Sequence, residues 1–127
     1  MNSKPNALPK SERLCSLGAL RRLFDEGRSG FVYPFRYTYF TEESTSPNVE
    51  VLFSVPKRNH KRANKRNLLK RRMREAYRLN NGELKSQCQS RGVALDIAFI
   101  YSSKEVLPSN TIAHAITKIL AEVAQRA

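Results

Sequence analysis

A chain of 127 residues is long enough for one compact domain and short for two. Its 23 Lys and Arg against 11 Asp and Glu give a formal charge of +12 and a pI near 10.2, and with 40% hydrophobic residues a wholly disordered basic tail is excluded. So basic a domain seeks a polyanion; no stretch approaches the ~20 apolar residues of a membrane span.

The first ten residues, MNSKPNALPK, carry two prolines and no apolar run. They read as a flexible tail (1–10) without a secretory signal, leaving 11–127 as a single domain and the cytoplasm as the default compartment. Cys15 and Cys88 fit no zinc spacing, and a disulfide is not expected there. Leu17 to Glu26 reads as a helix with Leu17, Leu20, Leu23 and Phe24 on one side, Ser16 as cap and Gly27 as a left-handed terminator. The aromatic run Phe31 to Phe40, FVYPFRYTYF, favours strand, with Pro34 forcing either a start near Phe35 or an edge position. Val49 to Val55 alternates as a second strand, and the two are expected to pair as a hairpin with a long loop.

Residues 57–78, KRNHKRANKRNLLKRRMREAYR, hold 11 of the 23 Lys and Arg and a single acid, Glu75, which leaves a net +2 on the other 105 residues. On a helical wheel Leu68, Leu69, Met73, Ala76, Tyr77 and Leu79 share one half, with Lys65 and Arg72 intruding. Arg66, Asn67, Lys70, Arg71, Arg74 and Arg78 share the other. A salt-bridged structural helix interleaves acids at i+4. A ridge of cations without them is suited to a row of phosphates, and Arg's planar fork to bidentate contacts. A membrane surface or calmodulin would need a bulky exposed apolar face, which the remaining elements are available to cover.

Asn80, Asn81 and Gly82 end this helix, and the polar stretch 83–92 reads as at most one more helical turn and a loop. Val93 to Tyr101, VALDIAFIY, is apolar enough for a strand covered on both faces. After Pro108 a last helix carries Ile112, Ile116, Ile119, Leu120 and Val123 on one stripe. These elements make an α+β chain: a single α/β sandwich with one mixed sheet.

The run RNLLKRRMREAYR, Arg66 to Arg78, resembles the signature helix of the bacterial ribonuclease P protein subunit, R-N-R-x-K-R-x-x-R-E-x-x-R. Arg66, Asn67, Lys70, Arg71, Arg74, Glu75 and Arg78 match, and Leu68 stands where the family usually has Arg. FSVPKRNHKRANKRN resembles the family's strand end and loop into that helix, one residue longer. LPKSERL and LFDEG resemble its N-terminal region. The likeness runs from about Leu8 to Val123.

The resemblance implies a ribosomal protein S5 domain 2-like fold: about four strands, an N-terminal helix, a C-terminal helix, and the basic helix in a left-handed βαβ crossover. It implies partners, the ribonuclease P RNA and precursor tRNA, with no protein partner required. Arg58, Lys61, Arg62, Lys65, Arg66, Asn67, Lys70, Arg71, Arg74 and Arg78 are then the expected RNA-subunit contacts. Phe24, Phe35, Arg36, Tyr37 and Tyr39 are expected in a cleft for the single-stranded 5′ leader, since rings beside Arg suit base stacking. It also implies that the RNA subunit cleaves the phosphodiester using Mg²⁺, with no cofactor bound by the protein.

The residues agree with a polypeptide that does no chemistry. Nine Glu and two Asp are scattered, and Glu42 with Glu43 would point opposite ways on a strand. His114 falls opposite the apolar stripe, and His60 is a candidate RNA contact or a solvated loop residue. Two rival readings are a basic RNA-binding protein such as a small ribosomal component, and a stand-alone nuclease.

Overall fold

A computed structural model describes residues 17–126. The elements in chain order are α1 (Leu17–Glu26), β1 (Arg28–Val32), β2 (Phe35–Glu43), β3 (Val49–Ser54), α2 (Ala63–Asn80), α3 (Gly82–Arg91), β4 (Val93–Tyr101) and α4 (Ser109–Arg126). The expectations for Ser16, Cys15 and the 1–10 tail lie outside the described residues. Four strands form one mixed sheet in the order β1-β2-β4-β3.

The aromatic run breaks at a turn across Tyr33–Pro34, whose peptide bond is cis. β2 starts at Phe35 and folds back on β1, with Phe31 opposite Arg36 and Val32 opposite Phe35. The expected hairpin of β2 with β3 does not form: β4 lies between them, antiparallel to β2 and parallel to β3. The reason is burial. β4 is largely apolar and, but for Asp96, has apolar residues to bury on both faces, so it takes the central slot, while β3 takes the edge. Residues 44–48 then have to skip one strand, roughly 10 Å, which five residues reach easily. Their ends are tied to β4 and the residue before it, Ser44 N–H to Gly92 O at 2.9 Å and Leu95 N–H to Asn48 O at 2.9 Å.

That last bond also fixes the hand of the β3–α2–β4 crossover. Leu95, whose side chain enters the core with Leu69, Met73 and Tyr77 of α2, turns its backbone N–H towards β3. On a strand of L-residues running upward, a residue with its side chain towards the viewer points its N–H and C=O to the right. Seen from the α2 side, β3 therefore stands to the right of β4. The path moves leftward: a left-handed crossover, against a general preference of about 98% for the right-handed form.

The two sheet faces are unequal. One carries Phe35, Tyr37, Tyr39, Val49, Val51, Phe53, Leu95, Ile97, Phe99 and Tyr101 into the main core beneath α2, α3 and α4. Among the described residues the other is covered only by α1, through a small cluster of Leu23 and Ala98 with Ala19, Leu20, Phe40 and Leu52.

Three local readings need correction. Gly27 ends α1 without a left-handed backbone, a conformation that among the glycines only Gly92 adopts. It is glycine for lack of room, since a Cβ there would run into the Leu23 carbonyl and the Thr38 methyl. Gly82 opens a ten-residue helix, α3, where a turn and a loop were expected; Gly92 caps that helix at φ 66°. Leu79, placed on the apolar half of α2, is 63% exposed.

Candidate nucleic-acid interface

The basic segment divides into a braced loop and a helix flank. Lys57, Arg58, Lys61 and Arg62 are exposed on the loop before α2, and Lys65 is exposed in its first turn. His60, expected at the surface, is 5% exposed. Its Nε2 lies 2.7 Å from the Ser103 carbonyl and its ring sits against Tyr101. Arg66 donates from Nη1 to the carbonyls of His60 at 2.9 Å and Lys61 at 2.8 Å. So His60 and Arg66 shape the loop that displays its neighbours' charges. Arg72 reaches across to donate to Leu107 O at 2.6 Å.

Within α2, Leu69, Met73, Ala76 and Tyr77 are buried. Leu68, Arg71, Arg72, Glu75 and Leu79 form one wall of a groove shared with Ser109, Asn110 and Ala113 of α4. By its 100° stepping, the arc between the Arg71 edge of this groove and the buried stripe carries Arg78, Asn67, Arg74 and Lys70. Asn67 and Arg71 are exposed, and Lys70, Arg74 and Arg78 are half-buried. The first turn of α2 has no acid to neutralise this flank.

The leader residues expected on β2 separate by face. Phe35 is 0%, Tyr37 3% and Tyr39 4% exposed, so none offers a ring to a base. Phe35 packs edge-on against Phe99 and Tyr101, and Tyr37 stacks on Tyr39 and donates to Glu122 Oε2 at 3.0 Å. Burial and that carboxylate push the Tyr37 hydroxyl above its ordinary pKa. The expectation for these three rings is overturned, because a strand with helices on one side buries every second residue there.

The remaining two stay accessible. Phe24 on α1 is 49% exposed, and Arg36 is exposed on the face that α1 half covers. By register, Phe31, Arg36, Ile100 and Ser54 form one row across all four strands on that face. Phe31, 58% exposed, was missed as a site residue. Its signal was present in the sequence, five residues before Arg36 across a proline turn, and required the β1–β2 pairing to be read.

Further along this face the character changes. Phe40, Asp96 and Glu50 form a row. Arg22 of α1 lies 5.0 Å over the Phe40 ring and pairs with Glu42 at 3.0 Å. Asp96 is only 8% exposed, and burial, with Glu50 and Glu42 nearby and Arg22 opposing, lifts its carboxyl from 3.8 to about 6. Among the described residues no group of three or more His, Cys, Asp or Glu is placed to hold a metal ion, and no helix is long and apolar enough to cross a membrane.

Comparison with known proteins gives a consistent result. A family model described as Ribonuclease P matches residues 8–124. A Porphyromonas gingivalis ribonuclease P protein component is 39% identical over 118 residues, covering 92% of this chain and 86% of that one. One from Chlorobium phaeobacteroides is 39% identical over 105 residues, covering 76% and 72%. The Staphylococcus aureus RNase P protein structure superposes with a TM-score of 0.69 at 20% identity, covering 91% of this chain and 96% of that one. The Thermotoga maritima protein superposes at 0.68 and 23% identity, covering 87% and 96%.

Proposed function

Because the chain belongs to the ribonuclease P protein family, the accessory protein components of a tRNA-processing endonuclease, we propose that it works in the cytoplasm by holding two RNAs at once. The flank of α2 with its preceding loop grips the ribonuclease P RNA. The sheet face beside α1 holds the 5′ leader of precursor tRNA. The observation that carries this reading is the segregation of charge and rings. The cations concentrate on α2 and its loop, and two of the accessible rings, Phe24 and Phe31, lie with Arg36 on or beside the other face of the sheet.

In this reading the chain's residues perform no bond-breaking step. Arg58, Lys61, Arg62, Lys65, Lys70, Arg71, Arg74 and Arg78 screen the repulsion between two polyanions, and each phosphate contact releases counterions. Arg66 acts through its hold on the His60 and Lys61 carbonyls. Phe24 and Phe31 stack on unpaired leader bases, which present a π-face whatever their sequence, and Arg36 takes a leader phosphate. Mg²⁺ in the holoenzyme is held by RNA and supplies the activated water and leaving-group stabilisation.

Reconstitution with a bacterial ribonuclease P RNA tests the proposal. Precursor tRNA cleavage at low Mg²⁺ is expected to accelerate when the chain is added. A basic ribosomal-type protein would not accelerate it, and a stand-alone nuclease would cleave with no RNA subunit present.

A further inference from the structure

On the opposite side of β1 from the Arg36 row, a hollow of about 570 Å³ lies between the β1–β2 turn and α4. It is lined by Val32, Tyr33, Asn110, Thr111, His114, Ala115 and Lys118. Its size falls within the range of small-ligand sites. Its lining includes an aromatic ring, an amide, a hydroxyl, an imidazole and an ammonium, and no carboxylate.

Two features make this a built surface. Tyr33 is 55% exposed, yet its hydroxyl is tied to Ser103 Oγ at 3.1 Å, which holds the ring in place while leaving its surface open to solvent. Asn110, His114 and Lys118 recur every four residues along α4, so they stand above one another on one face of the helix. All three are exposed. Position adds a third argument. Phe31 stands on the open sheet face opposite Arg36, and Tyr33 follows two residues later, roughly 7 Å on along an extended chain. A strand leaving the open face over the β1 edge meets Tyr33 next, then the cation on α4.

We propose that this hollow is a second site for a nucleotide of single-stranded RNA, its base stacked on Tyr33, its phosphate at Lys118, and Asn110 and His114 offering hydrogen bonds. Two strands are available to fill it: leader nucleotides beyond those on the open face, and an unpaired segment of the ribonuclease P RNA. The inference rests on the leader reading only for the first of these.

The experiment uses the reconstituted holoenzyme, precursor tRNAs with leaders of increasing length, leaderless tRNA, and the ribonuclease P RNA alone. Tyr33→Ala is expected to weaken binding roughly tenfold, the loss of one base–ring contact. Lys118→Ala is expected to flatten the log–log salt dependence by about 0.7, one single-strand phosphate. Tyr33→Phe keeps the ring but frees it from Ser103, and is expected to retain most of the binding that Tyr33→Ala loses. Thermal melts of each variant establish that the fold is intact, as the exposure of both side chains leads one to expect. A loss that grows with leader length places the leader in the hollow, and an equal loss for the ribonuclease P RNA alone places the RNA subunit there. Either supports a nucleotide site. Unchanged affinity and unchanged salt slope on every RNA overturns it. Failure of the open-face reading would show differently, as parent protein that holds leader-bearing and leaderless tRNA equally well.

Discussion

The two faces of the sheet both carry aromatic residues, and they use them in opposite ways. Beneath α2 and α4, Phe35, Tyr37, Phe53, Phe99 and Tyr101 pack ring against ring and are closed to solvent. On the α1 side the rings are fewer and sit beside charge: Phe31 opposite Arg36, and Phe40 under Arg22. The richer aromatic surface is the core. The sparser one, among the described residues, is half covered by a ten-residue helix. An aromatic strand is therefore a poor guide to stacking until it is known which face the helices cover.

The largest effect expected from this contrast is on stability. Phe35→Ala removes a fully buried ring and is expected to cost roughly 3–5 kcal/mol. Its neighbour Arg36→Ala, pointing the other way, is expected to stay within about 0.5 kcal/mol. Urea unfolding followed by circular dichroism measures both; a stable Phe35→Ala protein with impaired leader binding would reverse the assignment of the faces.

The charged edge of the molecule sharpens the contrast next. Lys70→Ala, Arg71→Ala and Arg74→Ala combined are expected to reduce the salt dependence of binding to the ribonuclease P RNA by about two to three phosphate contacts. Leader discrimination, assigned to the other face, should persist. A salt slope unchanged from the parent would remove α2 from the RNA interface.

A smaller effect belongs to Asp96, the buried acid of the open face. Its carboxyl is raised to about 6 in the fold against 3.8 ordinarily. Between those values the folded chain binds more protons than the unfolded one, so stability falls as pH rises from about 4 to about 6 and stays lowered above that. Asp96→Asn is expected to gain at most about 3 kcal/mol at pH 7 and to flatten this window, as unfolding titrations from pH 4 to 7 would show. A variant less stable than the parent at pH 7 would mean that the ionised carboxylate is favourably held.

Much of this was legible in the sequence. The bounds of α1, the both-faces burial of β4, the stripe of α4 and the cationic run of α2 all follow from local pattern. The resemblance at Arg66 to Arg78 also carried the left-handed crossover, which the general preference for right-handed units argues against. What failed needed tertiary knowledge. The pairing of β2 with β4 rather than β3 depends on which strand is buried most deeply. The choice between Tyr37 and Arg36 as the outward residue depends on which face the helices occupy. His60 and Arg66 look like two more RNA contacts until the Ser103 carbonyl and the loop carbonyls are seen to hold them.

The central claim is that the open face, and not the aromatic face, holds the leader. The most direct measurement is the ratio of precursor to mature tRNA affinity for holoenzyme carrying Phe24→Ala with Arg36→Ala. The account predicts that this ratio falls by roughly tenfold or more, one stacking contact and one phosphate, with mature tRNA binding and the melting temperature little changed. A ratio equal to that of the parent protein would contradict it.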